Sequence, residues 1–143
     1  MTPQARAERS AAAMWAADRA SQGLGMTLTR IAPGTATFTL RVRDDMLNGH
    51  NLCHGGFIFA LADSAFAFAC NSYNQNAVAQ NNQITYVAPA NAGELLAATA
   101  TEIHRSDRSG IYDVTVSGDM NRTVALFRGH SRTIAGTHFE EPQ

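Results

Sequence analysis

From Thr35 to Val42 polar and apolar residues alternate (Thr-Ala-Thr-Phe-Thr-Leu-Arg-Val), the period of two that marks a strand with one wet and one buried face. A shorter strand-like run, Met26 to Ile31, precedes it across a Pro33-Gly34 turn. Four further runs follow: Ala77 to Val87, Glu94 to Arg105, Gly110 to Gly118 and Arg122 to Ile134. Turn-forming residues separate them at 89–93, 106–109 and 119–121. Connections this short predict antiparallel hairpins, and without crossover helices a Rossmann-type sheet is disfavoured.

Two stretches break the strand rhythm. Phe57 to Cys70 holds 14 residues in which Asp63 is the only charge, rich in alanine and opened by Gly55-Gly56. Its length and composition predict a helix, and one apolar on nearly all sides has to be buried on nearly all sides. It is too short for a membrane span. At the start of the chain Thr2-Pro3 reads as a cap with proline in the first turn, and the alanine-rich run to about Ser21 reads as one helix stopped by Gly23 and Gly25. The expectation is a single α+β domain over residues 1–143, with six strands around one buried helix. Residues 1–22 form a peripheral helix and 137–143 a frayed tail.

Composition narrows the chemistry. Of 143 residues 11 are basic and 12 acidic, a formal charge of −1, and all the basic ones are arginine. Lysine-dependent chemistry is therefore excluded: a Schiff base, a pyridoxal-phosphate anchor, or a P-loop. Near-neutral charge argues against nucleic acid or an anionic membrane as partner. Charged residues are only 16% of the chain against a usual value of about 25%, which suits a surface covered by other subunits. Cys53 and Cys70 sit in apolar surroundings without a Cys-x-x-Cys spacing, so two buried thiols in a reducing cytoplasm are expected. The first residues lack the pattern of a secretory signal.

Asp63 is the leading candidate for chemistry. A carboxylate on an apolar helix suits an acid/base group or a nucleophile, although a structural aspartate bonding a neighbouring loop would also explain it. Gly55-Gly56 at the helix start offers free N–H groups and the positive dipole end to an oxyanion, or simply a tight turn. The 8 residues between Gly55 and Asp63 correspond to about 12 Å of helix, so one carbonyl reaches both only if they meet across a dimer interface. His50, Cys53 and His54 fall short of a metal-ligand set, and His54 reads better as a loop residue bonding backbone or orienting a carbonyl. No Gly-x-Ser-x-Gly or Gly-x-Gly-x-x-Gly occurs. Arg105 and Arg108 flank a turn and could grip phosphate, as could Arg128 and Arg132; solvated surface or pairing with Asp107 and Asp113 is the plainer alternative.

Leu47-Asn48-Gly49-His50, Cys53-His54-Gly55-Gly56, Leu61-Ala62-Asp63-Ser64-Ala65-Phe66 and Ala125-Leu126-Phe127-Arg128-Gly129 together resemble the hotdog-fold acyl-CoA thioesterases, in particular the PaaI type of bacterial phenylacetate degradation. The resemblance runs from about Met14 to Gly136. It implies a hotdog fold, an antiparallel sheet wrapped around a long central helix, and homodimers with active sites between subunits, paired again into tetramers. By that resemblance Asp63 is the catalytic carboxylate, Gly55 the N–H that polarises the thioester carbonyl, Asn48 a positioner of water or carbonyl, and His54 the histidine beside the glycine. CoA contacts are expected from Gly56, Arg105, Arg108, Ser109 and Gly110. The implied reaction is hydrolysis of an aromatic acyl-CoA, phenylacetyl-CoA or a ring-hydroxylated form, with no cofactor. An aliphatic substrate, or a non-catalytic CoA-thioester sensor, is the alternative. Where some relatives carry an assisting serine or threonine, this chain reads Ala79-Gln80-Asn81-Asn82.

Overall fold

A computed structural model describes residues 1–142 of the chain. Six strands form one antiparallel sheet: β1 (Thr27–Ala32), β2 (Thr35–Arg41), β3 (Ala77–Tyr86), β4 (Leu95–Ser106), β5 (Ser109–Ser117) and β6 (Thr123–Thr133). Their spatial order is β1-β2-β4-β5-β6-β3. Helix α3 (Gly55–Cys70) lies against the inner face. The alternation in β2 does what its period predicts: Ala36, Phe38 and Leu40 are buried while Thr35, Thr37 and Thr39 are half-exposed. Across β4 and β5 the inward positions are Leu96, Ala98 and Ala100, then Tyr112, Val114 and Val116. Alanines on both the sheet and α3 let the helix approach closely, and the larger rings interlock. Phe38 meets Phe68 edge-on at 4.8 Å, and Phe66 sits between Tyr112 and Phe127 at 5.8 Å from each.

Phe66 requires Gly129 on β6. A Cβ there would lie 2.7–2.8 Å from three atoms of the Phe66 ring. Gly129→Ala therefore overpacks the sheet–helix contact and should cost about 1–3 kcal/mol. A urea melt that leaves the midpoint unchanged would contradict this packing.

The structure corrects four expectations. The N-terminal helix is two helices, α1 (Pro3–Ala17) and α2 (Arg19–Gly23). Asp18 interrupts them because its carboxylate caps α2, accepting from the Ser21 N–H at 2.9 Å and the Ser21 hydroxyl at 2.7 Å. Secondly, β3 forms no hairpin with β4. It pairs with β6 at the edge of the sheet, and residues 87–94 carry the chain back to the far side. Thirdly, the segment from Thr137 is tied down as far as it is described, Gln143 lying outside the described residues. Asn74 accepts the N–H groups of His138 and Phe139 at 3.0 and 3.1 Å and donates to the Phe139 carbonyl, while Arg9 covers the Phe139 ring at 4.3 Å. Finally, within a single subunit α3 is not buried all round. Gly56, Phe59, Ala60, Asp63 and Ala67 form an exposed or half-exposed stripe at helical spacing.

Candidate active site

The loop before α3 is built to present the first turn of the helix. A 3₁₀ turn (Asp44–Met46) accepts the His54 N–H on the Met46 carbonyl at 2.8 Å, and the Cys53 N–H reaches Ala90 at 2.9 Å. Asn48 closes the loop on itself: its Oδ1 accepts from the N–H groups of His50 (2.9 Å) and Leu52 (3.2 Å). Asn48 also lines a groove of about 410 Å³ with Gly55, Ile58, Tyr86 and Pro89, and its amide NH₂ has no partner among the described residues.

His54 caps the helix. Its Nδ1 accepts the Gly56 N–H at 2.9 Å. The Gly56 N–H is thus already taken. The Gly55 N–H has no partner among the described residues and stands at the positive end of a 16-residue helix. Tyr86, which sequence reasoning did not single out, packs its ring on Gly55 and donates its hydroxyl to the Gly55 carbonyl at 3.0 Å. A Cβ on Gly55 would meet that ring at 3.1 Å, so glycine is demanded by the approach of the tyrosine as well as by any ligand.

Two turns further along α3, Asp63 is half-buried in the open stripe of the helix. Burial pushes its carboxyl above the ordinary range, and a hydrogen bond from Asn82 Nδ2 to Oδ1 at 3.1 Å offsets part of the rise. Asn82 closes the Ala79-Gln80-Asn81-Asn82 run noted in the sequence, but its contact with Asp63 is seen only in the structure. The sequence signal was its polar run on an otherwise apolar strand. Of the four phenylalanines of α3, Phe66 and Phe68 are core residues. Phe57 and Phe59 are half-buried, and Phe59 packs edge-on to Phe127 at 5.6 Å.

The hairpin of Arg105 to Gly110 lies at the opposite end of α3, where Cys70, Tyr73 and Tyr112 adjoin it. Within one subunit it is therefore separated from Gly55 by the length of the helix, about 24 Å. Arg105 stacks on Tyr73 with 3.5 Å to the ring centre, its Nε 3.7 Å from Glu102. The Glu102 carboxylate also accepts both phenols, Tyr73 and Tyr112, at 2.8 Å. Burial, then that carboxylate, pushes Tyr73 up to about 12 and Tyr112 upward as well, so both remain donors. Arg108 and Ser109 are exposed, with no side-chain partner for Arg108 among the described residues. Gly110 is buried, and a Cβ there would sit 2.8 Å from Ser131 Oγ and Tyr112 Cε1, which gives this glycine a packing reason. Among the described residues no three His, Cys, Asp or Glu side chains gather as a metal would need, and Cys53 and Cys70 are free, buried thiols. No described helix is long and apolar enough to cross a membrane.

A free N–H at a helix start and a carboxyl held partly out of water suit a reaction in which negative charge develops on a carbonyl oxygen. Comparison with known proteins agrees. The model of the Thioesterase superfamily matches residues 50–125, a span that includes Gly55, Asp63, Asn82 and Tyr86. Acyl-coenzyme A thioesterase PaaI of Escherichia coli (strain K12) is 43% identical over 132 residues, 92% of this chain and 94% of that one. The structure of E. coli PaaI, from the phenylacetic acid degradation operon, superposes with a TM-score of 0.93 at 42% identity, covering 95% of this chain and 99% of its own. A variant of the phenylacetic acid degradation protein PaaI from Thermus thermophilus gives 0.79 at 39% identity, over 82% of this chain and all of that one. With its helix seated on a six-stranded antiparallel sheet in the hotdog arrangement, this chain belongs to the thioesterase superfamily.

Proposed function

We propose that this thioester hydrolase acts on aromatic acyl-CoA, phenylacetyl-CoA or a ring-hydroxylated derivative, releasing the free acid and CoA as a step of phenylacetate degradation. The observation that carries the chemistry is the unpartnered Gly55 N–H at the head of α3, with a half-buried carboxylate on the same helix. The thioester carbonyl docks on that N–H, where the helix dipole favours the developing oxyanion. Asp63 either draws a proton from the attacking water or attacks the carbonyl itself. Asn48 offers its free NH₂ on the groove wall, and His54 holds the first turn in place by capping Gly56.

Both groups lie on one helix, so the site is completed by a second copy. Strand β3 supports this reading. It is a ten-residue edge strand without a charge or a proline, the kind of edge that proteins otherwise blunt. Along it, Asn82 touches Asp63 and Tyr86 touches Gly55. Pairing β3 antiparallel with its copy about a two-fold axis at Ile84 sets Asn82 opposite Tyr86 of the partner subunit. Asp63 of one subunit then comes beside Gly55 of the other, and the half-exposed stripe of α3 is covered. A further pairing into a dimer of dimers completes the proposed assembly, in a reducing cytoplasm where Cys53 and Cys70 stay free.

The hairpin at Arg105 to Gly110 is the proposed seat of the CoA phosphates. Arg105 is committed to Tyr73 and Glu102, so Arg108 carries the larger part. Arg108→Ala should raise KM for acyl-CoA about tenfold, the scale of one charge-assisted contact, with kcat little changed. Acyl-pantetheine, which lacks the nucleotide phosphates, should show no such rise.

A thiol-release screen over phenylacetyl-, hydroxyphenylacetyl-, benzoyl- and short aliphatic CoA thioesters tests the substrate. Highest kcat/KM on the phenylacetyl pair is expected. Preference for aliphatic chains overturns the aromatic assignment, and binding without thiol release overturns hydrolysis.

A further inference from the structure

Asn82 holds an unusual position. Its Nδ2 donates to Asp63 Oδ1 at 3.1 Å, yet its own Oδ1 is buried with no hydrogen-bond partner among the described residues. An amide kept for structure would satisfy both ends, because a buried acceptor without a donor costs the full desolvation of that group. An apolar side chain of the same size would avoid the loss. The amide orientation also follows from its neighbour, since an ionised carboxylate can only accept.

We infer that Asn82 is a positioning residue for the reaction, kept at a cost in stability because its N–H fixes the Asp63 carboxylate and leaves Oδ2 free to act. This rests on the reading of Asp63 as the reactive group. The amide clamps the carboxylate against rotation and favours its ionised form. Little else nearby competes for that second task. Asn81 and Gln83 of β3 are uncharged, and Cys70 on the same helix stays a neutral thiol, pushed up to about 12. Asp18, the cap of α2, is linked to α3 through the Ser21 and Ser64 hydroxyls. On the outer face of the sheet Asp113 and Arg128 pair with one another, and His130 stands beside Asn81 in register.

The test compares Asn82→Leu, Asn82→Asp and Asp63→Asn in the full chain, reading melting temperature, kcat, KM and the acid limb of kcat/KM. Asn82→Leu should melt at or above the parent temperature, lose about 10- to 100-fold in kcat with KM within twofold, and move the acid limb to higher pH. Asn82→Asp keeps the shape but sets a like charge against Asp63, so its acid limb should lie higher still. A lowered melting temperature with kcat and the acid limb unmoved makes Asn82 structural and overturns the inference. If Asp63→Asn is inactive while both Asn82 variants keep parent kinetics, only this inference fails. If Asp63→Asn retains activity, the reading of the site fails with it.

Discussion

Asp63→Asn should lower kcat by about 10²–10⁴ while leaving KM for acyl-CoA within a few-fold, because the amide keeps the shape of the carboxylate but cannot take a proton or attack a carbonyl. The same substitution should stabilise the fold at neutral pH. Burial raises the Asp63 carboxyl above its unfolded value, so the folded chain binds this proton more readily than the unfolded one. The group favours folding at pH below its unfolded pKa, and that contribution is lost as pH rises through the folded value. At pH 7 the ionised carboxylate therefore works against the fold, and asparagine removes the burden. Steady-state thiol release and thermal melts from pH 4 to 8 check both halves. Near-parent turnover in the folded variant, or a melting temperature that drops across the whole range, would contradict the assignment.

Arg122→Met should be the most destabilising single change away from the site, by about 3 kcal/mol or more. Glu94 is buried, with its side chain 3% exposed, and Arg122 grips both of its oxygens at 2.7 and 2.8 Å. The carboxylate also accepts from the N–H groups of Asn91 and Asp119, and the guanidinium donates to the Pro89 carbonyl. One ion pair thus ties the β3–β4 crossover to the turn between β5 and β6. Removing the arginine strands a buried charge, whereas replacing both partners with apolar residues would be much milder. Burial alone would raise the Glu94 carboxyl, but the two N–H groups and Arg122 outweigh it and hold it below the usual range. Its contribution is therefore full above the unfolded carboxylate pKa and is lost as pH falls through the folded one. Chemical denaturation at pH 7 and pH 4 should show the gap between parent and variant narrowing in acid.

The crossover held by Glu94 also shows where the sequence ceased to be readable. The alternation in β2, the lone charge on α3 and the glycines at its start are local signals, and they led directly to the sheet, the central helix and the candidate residues Gly55 and Asp63. The partner of β3 is not local. Turn residues at 89–93 suggest a hairpin with β4, but the sheet joins β3 to β6, a choice made by packing between distant segments. Asn74 likewise has no neighbour in sequence to announce that it holds the end of the chain. The contacts of Tyr86 and Asn82 became visible only once β3 lay beside α3, because they follow from strand register rather than residue type.

The bare edge of β3 bears on the life of the protein before it ever meets substrate. An isolated subunit exposes a row of unpaired N–H and C=O groups with no charge to repel a stray strand, and such an edge invites aggregation. If the same edge seals the active site, dilution should cost the enzyme activity and solubility together. Specific activity would then depend on protein concentration, and newly made chains would need to find their copies quickly to stay in solution.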